Sequence, residues 1–587
     1  MSETTARAKH PRALWVLFMT EMWERFAYYL MVGILLLYLT TGKGFPDKMG
    51  ADVVGSFIAL VYLTPFIGGL IADRYLGYIK SIFIGGSLMA AGYLGLSIPG
   101  NTAMYFSLGL IIVGNGFFKP NISTLLGNIY NKDELKPLKD NAYNIFYMGI
   151  NIGAFVCNFV AAWLRNDYGW GYAFGAAGVG LIIGLIWLAL NLKHVKHGDV
   201  KKPMQKEDVP MSKIMTSVFL PALVAAAVGW FIPGNLAGSD SNDAFLFACV
   251  PVIWFYVSLW KNATEQDKKP IGALLFIFAI SIIFWTIYNQ NATGLTIWAE
   301  KHTDRSVSGG TANFMGKAGF LQTVNTRGNE NFRDSVDKNL REVFDASQIV
   351  SLDSSMKYEK NKKGGTDTIK TLWGITSAGN KIDTGSKIIK VYSANEYFNN
   401  LPKEKWPAGG EQKLANTELF QSINPVFIVI LTPLLVGLFV WMARRGKEPS
   451  TASKFGLALI ISGFSALVMV FAVMSVPSIY THKTSPLWLW LTYFIFTISE
   501  ICLSPIGLSL VSKLAPARIT ALMMGGWFLS TSLGGKVAGV MASFWTSFPD
   551  KKIFFGIIAV AAFLGGLWIF SRIKSLNQIV KDKTGSA

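Results

Sequence analysis

Apolar residues gather into fourteen long runs separated by short polar segments. The runs cover residues 13–40, 50–72, 79–98, 103–126, 142–163, 171–192, 214–233, 244–260, 271–299, 419–443, 455–475, 486–511, 519–547 and 553–573. Each approaches the roughly 20 residues that an α-helix needs to cross a bilayer core. The pattern therefore predicts an all-α polytopic membrane protein embedded in a lipid bilayer. Composition agrees, with 51% hydrophobic and only 15% charged residues, against the quarter charged that is usual in soluble domains.

The net charge of +18 would suggest nucleic-acid binding in a soluble chain, but the placement of the basic residues gives another reason for it. Of 54 Lys and Arg, 27 lie in loops, termini and run ends on the side of the amino terminus (Lys80 and Arg572 being at run ends), 6 in the short loops opposite, 18 in one long insertion and 3 deep within the runs. Basic loops are retained in the cytoplasm, so both termini are expected to be cytoplasmic, with no nucleic-acid partner. Cys157, Cys249 and Cys502 all fall inside apolar runs, which predicts small core residues and no disulfide framework. The first run holds Glu21, Glu24 and Arg25 and has no small-residue cleavage site, so it is expected to stay as a span.

Five segments follow from this spacing: a six-helix bundle over 1–192, a charged linker and inserted helix pair over 193–268, the first helix of a second bundle over 269–300, an insertion over 301–417 on the side opposite the termini, and the remaining helices with a cytoplasmic tail over 418–587. Six spans, an added pair and six more suit a major-facilitator fold of twelve core and two inserted helices. The loop after the second run resembles the loop motif of that superfamily through Gly68, Asp73, Arg74, Gly77 and Lys80. Such carriers bind substrate near the midplane between their halves. In the insertion, Phe332, Val336, Leu340, Val343 and Phe344 share one helical face, whereas 367–376 and 386–393 alternate as strands do. A solvated, partly folded appendage is expected there, with a substrate-capturing domain as the alternative.

An ionisable group at mid-bilayer costs roughly 2.5 to 3.5 kcal/mol and persists only with a reason. Glu21, Glu24, Arg25 and Tyr28 stand at helical offsets 0, 3, 4 and 7 and so share one face, with Tyr29 one turn beyond Arg25. Lys119 lies in the fourth run beside Pro120, and Glu500 in the twelfth, with Ser504 one turn on and Pro505 after it. Five such groups from both halves point to a wet central cavity. Three carboxylates against two cations leave one acid over, a candidate proton carrier. His10, His194, His197, His302 and His482 all lie in loops or tails, so carboxylates are expected to move the proton. Lys536, the third base deep within a run, is expected to snorkel outward. No nucleophile with a base, no metal-ligand cluster and no nucleotide loop stands out, so an enzyme is not expected.

The longer stretches around these residues resemble the proton-dependent oligopeptide transporters. EMWERFAYY carries Glu21, Glu24, Arg25, Tyr28 and Tyr29; NGFFKPNIS carries Lys119 and FYMGINIGAF carries Asn151; FWTIYNQ carries Trp285 and Asn289, FQSINP carries Asn424, SEICLSPIGLSLVSKLAP carries Glu500 and Ser504, and MMGGWFL carries Trp527. The resemblance implies a bacterial proton symporter for di- and tripeptides, working in the cell membrane by alternating access. It needs no cofactor, with protons as the coupling ion, and a monomer is expected. Glu21, Glu24, Arg25 and Lys119 would couple protons. Arg25 and Lys119 would hold the peptide carboxylate and Glu500 its ammonium. Asn151, Asn289, Asn424 and Ser504 would offer hydrogen bonds, and Tyr28, Tyr29, Trp285 and Trp527 would wall side-chain pockets. Taken singly, each aromatic also reads as helix packing and each asparagine as an interhelical bond. A relative carrying another small solute and a peptide sensor acting through the insertion are the competing readings.

Many members resembling this chain carry an arginine and an acid, an outer ionic gate, where Val32 and Asn289 stand here. Losing both partners together avoids stranding one buried charge. Closure on the side opposite the termini is therefore expected to rest on packing and neutral hydrogen bonds.

Overall fold

A computed structural model of the chain describes residues 9–200, 214–325, 329–331, 335–336, 342–344, 349–360, 366–376, 381–383, 391–393, 396–399, 401–407, 411–516 and 519–584. Among them a helix occupies each of the fourteen apolar runs. In the first half these are α1 (Arg12–Leu37), α2 (Asp47–Ile71), α3 (Tyr78–Gly95), α4 (Asn101–Ile129), α5 (Lys139–Asp167) and α6 (Trp170–Leu190). The inserted pair is α7 (Leu220–Phe231), entered through a π-helical turn at Met215–Phe219, and α8 (Asp240–Lys261). The second half comprises α9 (Glu265–Asn289), α10 (Ile423–Arg444), α11 (Thr451–Met474), α12 (Leu487–Leu514), α13 (Thr520–Ser543) and α14 (Lys551–Thr584). Ten of the described helical segments are long and apolar enough to cross a membrane, and the chain is a multi-pass membrane protein. The bundle end that carries both termini is called proximal here, and the opposite end distal.

Close helix approach in lipid needs small residues, because there is no difference in apolarity to drive association. The seam between α2 and α13 shows this: a Cβ on Gly55 would lie 2.7 Å from the Gly539 Cα, so the two backbones touch. The same pair of helices is tied by the Ser532 hydroxyl, which donates to the Ala59 carbonyl at 2.6 Å. α4 runs unbroken through Pro120, and α12 continues past residue 505.

The inserted pair turns at its distal end, where Asp243 accepts from the backbone amides of Leu236 and Ala237 at 2.7 and 2.6 Å. Ser239 caps α8 by accepting from the Asn242 amide. At the proximal end, Gly77 follows α2 with φ at 85°, and the Tyr78 amide donates to Asp199 at 2.7 Å, so the charged linker begins docked on the loop motif.

The insertion is rooted by an antiparallel ribbon of Leu321–Asn325 with Glu411–Ala415. Thr366–Thr376 pairs with Ile349–Lys360, in line with the strand expected over 367–376, and Val391–Ser393 is strand. The helix expected across 330–344 does not form at its described residues: Asn329–Asn331, Ser335–Val336 and Glu342–Phe344 are short strands. Phe332 and Leu340 lie outside the described residues. The paired strands satisfy backbone groups of these residues across the ladder.

Candidate functional site

The face of α1 anticipated from helical spacing is formed. Arg25 Nε lies 3.2 Å from Glu21 Oε1 and also pairs with Glu24. All three are nearly inaccessible. The Arg25 guanidinium carbon also stands 5.1 Å from the Tyr28 ring centre, and Tyr28 packs on Phe57. Gly153 lets α5 reach this face, since a Cβ there would sit 2.9 Å from the Phe26 nitrogen and 3.3 Å from the Arg25 Cβ. One oxygen of each acid, Glu21 Oε2 and Glu24 Oε1, and Arg25 Nη2 are buried without a hydrogen-bond partner among the described residues. Two carboxylates thus compete for one guanidinium.

Lys119 does not join that pair directly. Its ammonium sits 4.0 Å from the ring centre of Tyr62, a cation–π contact, while its field acts on Glu21 and Glu24. In the second half, Glu500 Oε2 accepts from Asn424 Nδ2 at 2.9 Å, and Asn424 donates also to Thr497 at 3.0 Å. Both amide hydrogens of Asn424 are therefore engaged. Asn151 donates to the Tyr147 carbonyl one turn back at 2.9 Å, and Asn289 likewise to the Trp285 carbonyl at 2.8 Å. Trp285 is half-buried, with its ring centre 6.1 Å from that of Trp527. Trp527 is only 3% exposed and packs on Phe278 and Phe455, so it stands behind Trp285. The side chain of Ser504 lies outside those described.

Tyrosines connect the two poles. Tyr29 of α1 interacts with Arg25, with Glu500 and, side chain to side chain, with Tyr288 of α9. Tyr147 of α5 interacts with Glu500, Tyr29 and Tyr62. Yet Tyr147 is 39% exposed, and Tyr29, Tyr62, Lys119 and Tyr288 are half-buried. These side chains, drawn from both halves, are thus only partly covered by the rest of the protein. Sequence reasoning missed Tyr62, Tyr147 and Tyr288, although the last two sit inside FYMGINIGAF and FWTIYNQ.

At the distal end the halves are joined, and here two expectations need correction. Lys536 does not snorkel: it is 1% exposed and donates to Asp52 Oδ1 at 2.7 Å, Ser56 at 2.8 Å and Ser241 at 3.0 Å. A base with three local acceptors has no need to reach the interface. Closure also does not rest on neutral contacts alone. Ion pairs link Asp52 to Lys536 at 2.7 Å, Asp47 to Lys301 at 2.6 Å and Arg165 to Glu418 at 3.3 Å. These pairs lie on helices other than α1 and α9, where Val32 and Asn289 stand. Next to Val32 the link is neutral: Gln421 Nε2 donates to the Gly33 carbonyl at 2.9 Å. The charge absent from one helix pair is supplied by its neighbours.

Comparison with known proteins is consistent with this architecture. A family model described as the POT family matches residues 79–327 and 413–559, leaving out most of the insertion. An uncharacterised transporter of Bacillus subtilis (strain 168) is 30% identical over 97% of this chain and 94% of its own. A di-/tripeptide transporter of Lactococcus lactis subsp. cremoris is 27% identical over 97% of each chain. A crystal structure of a mutant peptide transporter POT in complex with alafosfalin superposes with a TM-score of 0.68 at 27% identity, covering 97% of this chain and 96% of that one. With the signatures, the two-half bundle and these matches in agreement, the chain belongs to the POT family of membrane transporters.

Proposed function

We propose that the protein imports di- and tripeptides with protons by alternating access. The carrying observation is that Arg25 on one half and Glu500 on the other both act on Tyr29, with Lys119 close by over Tyr62. A peptide zwitterion needs opposite partners for its two ends, and this arrangement offers them. Arg25 and Lys119 hold the carboxylate, Glu500 the ammonium, and backbone-directed recognition leaves the side chains free to vary. Tyr29, Tyr147 and Trp285 border the room those side chains would occupy.

Coupling follows from the crowded guanidinium. A proton on the Glu21–Glu24 pair weakens its hold on Arg25 and on Lys119, which then bind the peptide carboxylate. The occupied, neutralised cavity can be closed off from water at a lower electrostatic cost, so the halves rock. Each net charge carried inward gains about 2.3 kcal/mol per 100 mV of membrane potential. On this reading the protein lies in the bacterial cell membrane with both termini cytoplasmic, acts as a monomer and uses no cofactor beyond the coupling proton.

The test is uptake of labelled dialanine by purified protein in liposomes, with and without an inward proton gradient. Accumulation above equilibrium only with the gradient is expected. Equal uptake in both conditions would remove the coupling, and no uptake would remove the substrate.

A further inference from the structure

Next to the Arg25–Glu500 site, with which it shares only Tyr62 among the residues named there, α2, α7, α8 and α13 surround a cavity of about 300 Å³. Its walls are almost wholly apolar, among them Phe66 of α2, Ala226 of α7, Ala248 of α8 and Leu533 of α13. The polar atoms at its distal end are spent on one another: Ser241 donates to Asp52 at 2.7 Å, and Lys536 donates to Ser56 at 2.8 Å and to Ser241 at 3.0 Å. At the other end the Tyr256 hydroxyl donates to the Leu522 carbonyl at 2.9 Å. Water needs two to four polar partners to stay in a buried space, and these groups have little left to give.

The cavity is also continuous with the membrane-facing surface. Leu60 and Ile253 line it and are 45% and 56% exposed, so each belongs to both the cavity wall and the outside of the bundle. Beside Ile253, Val250 and Trp254 are 66% and 67% exposed on the outer face of α8. At that depth the only solvent is hydrocarbon. We propose that the cavity takes one acyl chain of a bilayer phospholipid, entering sideways past Leu60 and Ile253 and lying between the inserted helix pair and the α2–α13 seam. Because α2 comes from the first half and α13 from the second, the chain lies against the plane where the halves meet. The inserted pair then acts as the outer wall of a lipid-tail site.

The test uses the full-length protein in phosphatidylethanolamine–phosphatidylglycerol vesicles doped with a phosphatidylcholine that carries a diazirine in one acyl chain. After irradiation, labelled positions are mapped by mass spectrometry. Leu529 and Leu533 of α13 lie behind the inserted pair, so label there arrives through the cavity. Their labelling is expected to exceed that of buried Leu181 of α6 several-fold and to fall to that level in Ala226→Phe and Ala222→Phe, while exposed Ile186 and Leu190 label equally in all forms. Label on α13 no higher than on Leu181, or unchanged in folded filled variants, overturns the proposal. Should the filled variants not fold, the distribution in the unaltered protein decides.

Discussion

Lys536 of α13 and Asp52 of α2 meet at 2.7 Å across the seam between the halves, at 1% and 4% exposure. Ser239 and Ser241, at the start of α8, also donate to Asp52, at 3.0 and 2.7 Å. Removing one partner of a buried pair leaves an uncompensated charge and costs about 3 to 5 kcal/mol. Lys536→Met should fall at the lower end, because the two serines still serve Asp52. Asp52→Asn strands the ammonium and should cost more. The double variant should recover much of the loss, which thermal unfolding in detergent would report as strong non-additivity. Losses that simply add would show that the pair is not coupled.

His302 gives the distal end a pH dependence. It follows the short helix Gly294–Lys301 and sits among Trp298, Tyr480 and Trp545, with ring centres 5.0, 6.2 and 6.0 Å away. Burial, helped by the nearby Lys483, Lys551 and Lys301, pushes its pKa from 6.5 down to about 3. Between those values the unfolded chain binds a proton that the folded chain refuses. Stability from this group is therefore complete above pH 6.5 and is lost as pH falls toward 3, by about 1.4 kcal/mol per pH unit within the window. His302→Phe should flatten that acid limb in melting curves while leaving neutral pH little changed. An unaltered limb would assign it to other groups.

Charge made part of the site legible, and its absence hid the rest. Glu21, Glu24, Arg25, Lys119 and Glu500 stand out because an ionised group within an apolar run is costly. Tyr62, Tyr147 and Tyr288 carry no such cost, and an aromatic in a span reads first as packing. Asp52 lies just inside the second run, where an acid passes for an interfacial residue. Without it Lys536 has no visible partner, since the two are 484 residues apart in the chain. The fold follows from the apolar runs for the same reason that the insertion does not. Long spans have one backbone solution in lipid, whereas the helical apolar spacing across 330–344 gives way to strand at its described residues.

Glu500 should govern recognition of the peptide amino end. Among the described residues its side-chain donor is Asn424, which leaves carboxylate capacity for an incoming ammonium. Glu500→Gln keeps the shape and removes the charge. A hydrogen bond to a charged group contributes about 1.5 to 3 kcal/mol, so affinity for dialanine should drop about 10- to 100-fold. N-acetyl-dialanine, which lacks the ammonium, should compete weakly against both forms. Competition for labelled peptide measures each, and an unchanged dialanine affinity would place the ammonium elsewhere.

Glu24 separates coupling from binding. It pairs with Arg25 and is fully buried, with Oε1 unpartnered among the described residues, so a proton placed there needs no existing bond broken. Glu24→Gln fixes the site in a state resembling the protonated one: Arg25 is then held by Glu21 alone, at 3.2 Å, and can turn to the peptide carboxylate. Exchange of labelled for unlabelled dialanine requires binding and rocking but no net proton movement, so it should persist. Uphill accumulation requires release of the proton in each cycle, so it should be lost. If Glu24→Gln still concentrates peptide against its gradient, the proton travels on Glu21 or Glu500, and the same pair of assays on Glu21→Gln would then distinguish them.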